Sequence, residues 1–300
     1  MKNIKIFGAI PAIITPFKKN GDLDLPALRR LVSYQLKGGV DAIVVAGTTG
    51  EAATLTEEEY VTVLKTVVEK VAGKVPVIAG AGSNNTEKAI HFSKLAKFIG
   101  VDGLLHVTPY YNKPTPSGLL LHFKAIAKEV DLPIILYNVP GRTGLNVSPT
   151  TVLRIAREVP SVIAVKEASG SLPQMMEIIS EVEKKGPKGF VVLSGDDSLA
   201  LPLIALGGKG CISVACNEAP KLFSNMIHFA LKGKMKEAQK LHYKLLKLMT
   251  GNFIESNPIP VKTALAMMGM IEEGFRLPLT FMEDKNKAVL KKILKELKLI

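Results

Sequence analysis

Short runs of apolar and β-branched residues recur roughly every thirty residues through most of the chain, the spacing that one β-strand plus one helix requires. The runs are continuously apolar rather than alternating, which predicts strands covered on both faces, as in a parallel sheet. The predicted strands are Gly8–Thr15, Asp41–Ala46, Val75–Ala79, Asp102–Thr108, Pro133–Tyr137, Ser161–Lys166, Phe190–Leu193 and Gly210–Ala215.

Segments with helical periodicity lie between and after these strands. Several begin with residues that favour a helix start, such as Thr56 before three glutamates and Ser148 before Pro149. The predicted helices are Leu25–Lys37, Glu57–Val71, Thr86–Ile99, Ser117–Val130, Pro149–Glu158, Leu172–Lys184, Ser198–Leu206 and Ala219–Leu231. Because these eight βα units contain no Gly-x-Gly-x-x-Gly turn, they predict an α/β fold of the (β/α)8 TIM-barrel type rather than a doubly wound sheet.

The pattern changes near Lys234, where strands cease and only helices are predicted. These helices cover Met235–Thr250, Val261–Met270 and Lys285–Leu297, and Asn257-Pro-Ile-Pro260 separates the first from the second. We therefore predict two domains, a catalytic barrel over residues 1–233 and a C-terminal helical domain over residues 234–300. The helical extension shows no chemistry of its own.

The formal net charge is +12, but the lysines are scattered among the helices and form no arginine-rich arm. This distribution argues against a nucleic-acid partner, whereas a positive field does attract small anionic substrates. No apolar run reaches eighteen residues, so no membrane span is expected. Pro11 interrupts an apolar N-terminal run that otherwise resembles a signal peptide, and the two cysteines, Cys211 and Cys216, indicate no disulfide framework. A cytoplasmic location is expected.

Catalytic groups of TIM barrels lie at the C-terminal ends of the strands, and Lys166 ends the sixth predicted strand. An amine that is removed from water there is a candidate nucleophile for a carbonyl substrate. The alternative is an ordinary lysine whose ammonium reaches solvent from the strand end.

Other strand ends carry groups that fit an amine nucleophile. The glycine- and threonine-rich turn Gly47–Glu51 can bind a small anion or can be merely a turn, and Tyr137 can transfer protons. Arg142 can bind a carboxylate with its guanidinium fork or can be a surface arginine. The adjacent Asp196 and Asp197 could hold Mg²⁺, although capping of the helix that follows is the simpler interpretation.

The histidines suggest no metal site. One lies within the fourth predicted strand and the others fall in predicted helices, without a second ligand type beside them at a strand end. No nucleophile-elbow motif is present either. The strand ends together therefore predict an amine nucleophile, a proton relay and a carboxylate clamp that work without a cofactor or a metal.

Six motifs occur in the order typical of one known family. They are Gly47-Thr-Thr-Gly-Glu51, Tyr110-Tyr-Asn-Lys-Pro114, Tyr137-Asn-Val-Pro-Gly-Arg-Thr-Gly144, Val165-Lys-Glu-Ala-Ser169, Leu193-Ser-Gly-Asp-Asp197 and Glu255-Ser-Asn-Pro-Ile-Pro-Val-Lys262. Over essentially its whole length the chain resembles the dihydrodipicolinate synthases, members of the pyruvate-dependent class I aldolase superfamily.

The resemblance implies condensation of pyruvate with L-aspartate 4-semialdehyde to 4-hydroxy-tetrahydrodipicolinate in lysine and diaminopimelate biosynthesis. It implies that Lys166 forms an imine with pyruvate, so that no cofactor is needed. Tyr137 would transfer protons, and Thr48 would connect Tyr137 to Tyr111 of a neighbouring subunit. For substrate binding, it implies that Thr48 and Thr49 hold the pyruvate carboxylate, that Arg142 holds the carboxylate of the semialdehyde, and that Gly195 and Ile212 line the pyruvate pocket. A homotetramer built as a dimer of dimers is the implied assembly.

The chain departs from lysine-inhibited members of this family at a subunit contact. The matching positions are Ala52, Glu57, Tyr60, Asn84, Lys88 and Tyr110. Inhibited enzymes commonly carry a carboxylate at the position of Lys88, and a cation there opposes the ammonium of bound lysine. We therefore expect weak or absent inhibition by lysine; an inhibition constant below the millimolar range would contradict this.

Alternatives remain open at this point. Another pyruvate-dependent aldolase, of the 2-keto-3-deoxygluconate aldolase or N-acetylneuraminate lyase type, would share Lys166, Tyr137 and the Gly/Thr turn, although Arg142 favours an aldehyde that bears a carboxylate. A non-catalytic barrel that binds a small anion is a more remote alternative, and a nucleic-acid-binding protein is the most remote.

Overall fold

The computed structural model describes residues 4–300 and has eight parallel strands arranged as a barrel. The strands are β1 (Gly8–Pro11), β2 (Ile43–Val45), β3 (Val77–Gly80), β4 (Gly103–Val107), β5 (Ile134–Asn138), β6 (Val162–Glu167), β7 (Val191–Ser194) and β8 (Gly210–Ser213). From β2 to β8 each strand pairs with the next in sequence, and β1 pairs with β8. The ring closes between β1 and β2, where the amide of Ile13 donates to the carbonyl oxygen of Val44 at 2.9 Å. The predicted TIM barrel is confirmed.

Side chains fill the interior of the barrel. Every strand contributes one inward-facing apolar residue to a single cluster: Ile10, Val44, Ile78, Leu105, Ile135, Ala164, Leu193 and Ile212. Since strand side chains alternate between faces, the residues two positions further along β5 and β6 also point inward. Those residues are Tyr137 and Lys166, which places the predicted nucleophile inside the barrel near its C-terminal end.

Helices cover the outside of the barrel. They are α1 (Leu25–Lys37), α2 (Glu57–Val71), α3 (Thr86–Ile99), α4 (Pro116–Glu129), α5 (Pro140–Thr143), α6 (Pro149–Glu158), α7 (Leu172–Lys185), α8 (Ala200–Ala205) and α9 (Pro220–Leu231). The start signals act as predicted: Thr56 and Glu59 form a capping box on α2, and Ser148 accepts from the amide of Thr151 on α6.

The predicted helices and strands match closely, and most of their bounds agree to within three residues. Three differences are larger. The first strand is shorter than predicted, because beyond Pro11 only an isolated bridge joins it to β2. Helix α5 and a 3₁₀ turn at Ala52–Thr54 were not predicted, since each is too short to show a helical period. The predicted helix Ser198–Leu206 is a 3₁₀ turn at Asp197–Leu199 followed by α8.

Three further helices complete the chain: α10 (Met235–Gly251), α11 (Ile259–Met267) and α12 (Asp284–Glu296). Their apolar side chains, including Leu245, Val261 and Leu294, belong to the same buried cluster as the outer faces of the strands and the barrel helices. The division into domains at residues 233 and 234 stays a prediction, and residues 1–3 lie outside the described part. Within residues 4–300, no helix combines the length and the apolar character needed to cross a membrane.

Candidate active site

Lys166 and Tyr137 are direct neighbours in the paired strands β5 and β6. Both are buried, each with 6% of its surface exposed. Nζ of Lys166 lies over the aromatic ring of Tyr137, 4.0 Å from its centroid. The structure thus gives Lys166 a buried position at the barrel's C-terminal end, and the interpretation as an ordinary solvent-facing lysine is wrong.

Gly195 follows β7 and packs against the stem of Lys166. A Cβ atom at this position would lie 3.0 Å from Cε of Lys166 and 2.6 Å from Cβ of Ala168. The backbone φ of Gly195 is not in the left-handed region, so packing space rather than backbone conformation is what glycine provides here. The absent side chain leaves room for the stem of Lys166.

The carboxylate next to the lysine in sequence points the other way. Glu167 is fully buried, and its two oxygens accept from Nδ2 of Asn138 at 2.9 Å and from the amide of Ser169 at 2.8 Å. Asn138 is the outward-facing neighbour of Tyr137, so Glu167 lies outside the barrel wall. The alternation of side chains along β6 therefore separates this carboxylate from Lys166.

The Gly47–Glu51 turn follows β2 and packs closely against β3. A Cβ atom on Gly80, the last residue of β3, would lie only 2.1 Å from the carbonyl oxygen of Ala46, so glycine permits this approach. Within residues 4–300, the amide N–H groups of Thr48 and Thr49 donate to no other group. Two such amides beside a threonine hydroxyl form a typical site for a small anion.

Asn257, in the segment between α10 and α11, touches two of the predicted binding residues. Its Nδ2 donates to Oγ1 of Thr49 at 2.9 Å, and its backbone carbonyl accepts from Nη2 of Arg142 at 3.1 Å. Thr49 and Asn257 are buried, whereas Arg142 on α5 is exposed. Arg142 therefore reaches over the barrel mouth with part of its guanidinium available to a ligand.

A cavity of about 610 Å³ opens above these groups. Its wall includes Thr48, Tyr137 and Arg142, together with apolar side chains such as Leu105 and Val139. In the region that the structure describes, that wall does not include Lys166, Gly195 or Ile212. Ile212 nevertheless belongs to the same interior cluster of the barrel as Tyr137. The lysine amine thus lies against the ring of Tyr137, which is part of the cavity wall.

Tyr111 does not join this group within one chain. It is 90% exposed, its φ is +70°, and among the described residues it is absent from the cavity wall. Tyr110 does line the cavity and is 40% exposed. An exposed tyrosine beside the barrel mouth is what a contribution to a neighbouring subunit requires.

A model of the dihydrodipicolinate synthetase family matches residues 5–297. The chain belongs to the dihydrodipicolinate synthetase family. It is 54% identical to a 4-hydroxy-tetrahydrodipicolinate synthase of Maridesulfovibrio salexigens, over 96% of this chain and 97% of that relative.

Solved structures of this family are also similar. The dihydrodipicolinate synthase of Thermotoga maritima is 45% identical with a TM-score of 0.97, over 99% of this chain and 100% of that chain. The chloride-inhibited dihydrodipicolinate synthase of Acinetobacter baumannii complexed with pyruvate is 44% identical with a TM-score of 0.95, again over 99% and 100%.

Most positions that match the lysine-binding contact of the family lie together. The same cavity that holds Thr48 and Tyr137 is also lined by Ala52, Tyr60, Asn84, Lys88 and Tyr110. Glu57 instead pairs with Nε2 of His91 at 2.8 Å. Lys88 therefore lies in the cavity, where its ammonium would oppose the ammonium of bound lysine. Weak or absent inhibition by lysine stays a prediction.

The aspartates after β7 have structural partners. Oδ1 of Asp196 accepts from the amide of Ser198 at 2.8 Å and caps the 3₁₀ turn, as predicted. Oδ2 of Asp197 accepts from the amides of Val214 and Ala215, and burial raises the pKa of this carboxyl. Within residues 4–300, no three histidine, cysteine or acidic side chains converge as a metal site would require.

Sequence reasoning missed how the last motif contributes to the site. Asn257 and Lys262 were recognised only as part of the family pattern, yet Asn257 bonds to Thr49, and Lys262 forms a buried ion pair with Glu51. The sequence clue was a charged residue, Lys262, within the otherwise uncharged segment Ile259–Met267. More than two hundred residues separate each pair, so only the tertiary structure reveals them.

Proposed function

We propose that this protein is a 4-hydroxy-tetrahydrodipicolinate synthase, which condenses pyruvate with L-aspartate 4-semialdehyde in lysine and diaminopimelate biosynthesis. The observation that carries the proposal is a buried lysine, Lys166, placed against the ring of Tyr137, which lines the cavity, in a member of this family. That arrangement supplies an amine nucleophile and a phenol at the same point of the barrel.

The first half of the reaction activates pyruvate. The neutral amine of Lys166 attacks the ketone carbon, and a proton passes from the amine to the former ketone oxygen to give a carbinolamine. A second proton, donated to its hydroxyl group, lets water leave and gives a protonated imine, the iminium. Loss of a proton from the methyl group then gives the enamine, a carbon nucleophile. The ring of Tyr137, 4.0 Å from Nζ, offers its negative face to the cationic iminium and its hydroxyl for proton transfer.

The carboxylate of pyruvate requires a site within reach of the imine. The Gly47–Glu51 turn supports this role, because the amides of Thr48 and Thr49 point to no other group within residues 4–300. Gly195 keeps the stem of Lys166 unobstructed, and the backbone of Ile212 completes the pocket in this proposal.

The second half joins the two substrates. The enamine carbon attacks the aldehyde carbon, whose oxygen takes a proton and becomes the 4-hydroxyl group. The amino group of the condensed chain then attacks the imine carbon, closes the ring and expels the amine of Lys166. Arg142, exposed at the cavity mouth, binds the carboxylate of the semialdehyde in this scheme, which favours it over an uncharged sugar aldehyde.

The proposal includes no cofactor and no metal, because the imine itself withdraws electrons from the methyl carbon. It includes a cytoplasmic homotetramer, built as a dimer of dimers. Tyr111 supports an oligomer, since a side chain that is 90% exposed can extend into a neighbouring subunit and form a proton relay with Thr48 and Tyr137 there.

Borohydride reduction tests the proposal directly. Incubation with pyruvate and borohydride should attach a reduced pyruvyl group to Lys166, identified by peptide mass mapping, and Lys166→Ala should abolish the adduct. A wild-type protein that takes no adduct would support the anion-binding barrel instead.

Acceptor specificity requires a second assay. Pyruvate with aspartate semialdehyde should be consumed far faster than pyruvate with glyceraldehyde or with N-acetylmannosamine. A preference for either sugar-type acceptor would identify one of the other pyruvate-dependent aldolases.

A further inference from the structure

Glu51 and Lys262 form an ion pair that is almost completely removed from water. Oε1 of Glu51 accepts from Nζ of Lys262, and the side chains are 1% and 0% exposed. Nζ also lies 4.2 Å from the centroid of the Phe17 ring and 5.1 Å from that of Phe275. A buried ion pair is a poor source of stability, since desolvation offsets the attraction, so it is better explained by the geometry that it specifies.

That geometry belongs to the Gly47–Glu51 turn. Glu51 is the last residue of the turn and has a left-handed backbone conformation, with φ 51° and ψ 37°. Its second oxygen, Oε2, is buried and has no hydrogen-bond partner within residues 4–300, so Lys262 is the group that compensates the carboxylate. Lys262 therefore holds the end of the turn in place from helix α11.

Asn257 holds the same turn from five residues earlier in the chain. Its side chain donates to Thr49, while its backbone carbonyl accepts from Arg142. Asn257 is 5% exposed and lines the cavity, so these contacts lie at the boundary between the pyruvate turn and the cavity mouth. One residue thus contacts both groups to which we assign the binding of a substrate carboxylate.

We propose that Asn257 and Lys262 are positioning residues, through which the segment 257–262 sets the distance between the two carboxylate-binding groups of the active site. The inference rests on the proposed function, because that reaction brings two carboxylate substrates to this cavity. Neither residue is assigned a chemical step. Both act through neighbours: Lys262 through Glu51, and Asn257 through Thr49 and Arg142.

Asn257→Ala tests the first contact. Loss of one buried hydrogen bond to the turn should raise the KM for pyruvate about five- to thirtyfold. The KM for aspartate semialdehyde should change less, because this variant keeps the backbone carbonyl that accepts from Arg142. The kcat should fall by less than the KM for pyruvate rises, since Lys166 and Tyr137 are untouched.

The double variant Glu51→Gln/Lys262→Met tests the second contact, between Glu51 and Lys262. Lys262→Met alone would leave the buried charge of Glu51 unpaired, so both residues are replaced. This double variant should fold and should also raise the KM for pyruvate. Thr263→Val is the matched control: Thr263 lies on the same helix, is 1% exposed, and its hydroxyl donates to Oε1 of Glu273 at 3.0 Å, away from the turn. It should lower the melting temperature with KM values unchanged.

The outcomes separate this inference from the proposed function. The inference alone would be overturned by two results together. The wild type would trap pyruvate normally, and Asn257→Ala and the double variant would have the same KM values as Thr263→Val. Absence of an imine in the wild type would overturn both. Raised KM values in the two test variants, and not in the control, would establish the positioning role.

Discussion

Gly195→Ala offers the sharpest test of the space around Lys166. The new Cβ atom would lie 3.0 Å from Cε and 3.2 Å from Cγ of Lys166, and 2.6 Å from Cβ of Ala168. The last contact cannot be relieved by a rotamer change, because a Cβ atom moves only with its backbone. Overpacking of this kind costs about 1–3 kcal/mol of stability.

The effect on chemistry should exceed the effect on stability. The lysine stem must move away from the new methyl group, and a displacement of about 1 Å at a reacting atom costs on the order of a hundredfold in rate. We therefore expect imine formation with pyruvate, followed by timed borohydride trapping and mass spectrometry, to slow by about a hundredfold.

Two further variants show which contact matters. Gly141→Ala is the control, because a Cβ atom there meets no heavy atom within 4 Å and its φ is not left-handed. Adding Ala168→Gly to Gly195→Ala removes the 2.6 Å contact but leaves the one with Lys166. The double variant should recover stability while imine formation stays slow. Trapping by Gly195→Ala at the wild-type rate would refute this account of the site.

Three other predictions concern binding, acid stability and assembly. Arg142→Ala should raise the KM for aspartate semialdehyde by about tenfold to a hundredfold, as loss of a charge-assisted contact does, while pyruvate trapping on Lys166 continues unchanged. Burial lowers the pKa of His106 to about 3, below its ordinary 6.5. The unfolded state then binds a proton that the folded state rejects, so the free energy of unfolding should fall as the pH drops below 6.5. Between pH 8 and pH 5, the free energy of unfolding measured in urea should decrease by about 2 kcal/mol less for His106→Gln than for the wild type. Tyr111→Phe and Lys166→Ala should each lose most activity, but mixed oligomers of the two should regain part of it if Tyr111 acts in the neighbouring subunit; mixtures as inactive as the separate variants would exclude that relay.

Acid stability has a structural basis beyond one residue. His106 lies in β4 with Nε2 3.1 Å from Oγ of Ser93, and its Nδ1 has no hydrogen-bond partner within residues 4–300. His122 on α4 is also buried, and its pKa is lowered to about 4. Since His122 also stays unprotonated in the folded state at pH 5, the wild type should lose more free energy of unfolding than His106 alone accounts for.

The amino-acid sequence by itself determined the fold and the inward position of the proposed nucleophile. Continuous apolar runs at a regular spacing can be buried on both faces only in a parallel sheet covered by helices, and both patterns are local properties of the chain. The position of Lys166 follows from the same local rule, because alternation along β6 points it inward and Glu167 outward. Its reactive partners were predicted from strand ends, since every such end meets at one face of a barrel.

Only the tertiary structure decided how the site is held together. The contacts of Asn257 with Thr49 and of Lys262 with Glu51 join residues 208 and 211 positions apart, and no periodicity records such a pairing. The space that Gly195 leaves for Lys166 likewise depends on how two adjacent strands approach each other at their ends. Local patterns specify which elements form and which way they face, whereas distances between side chains of remote elements arise only when those elements pack.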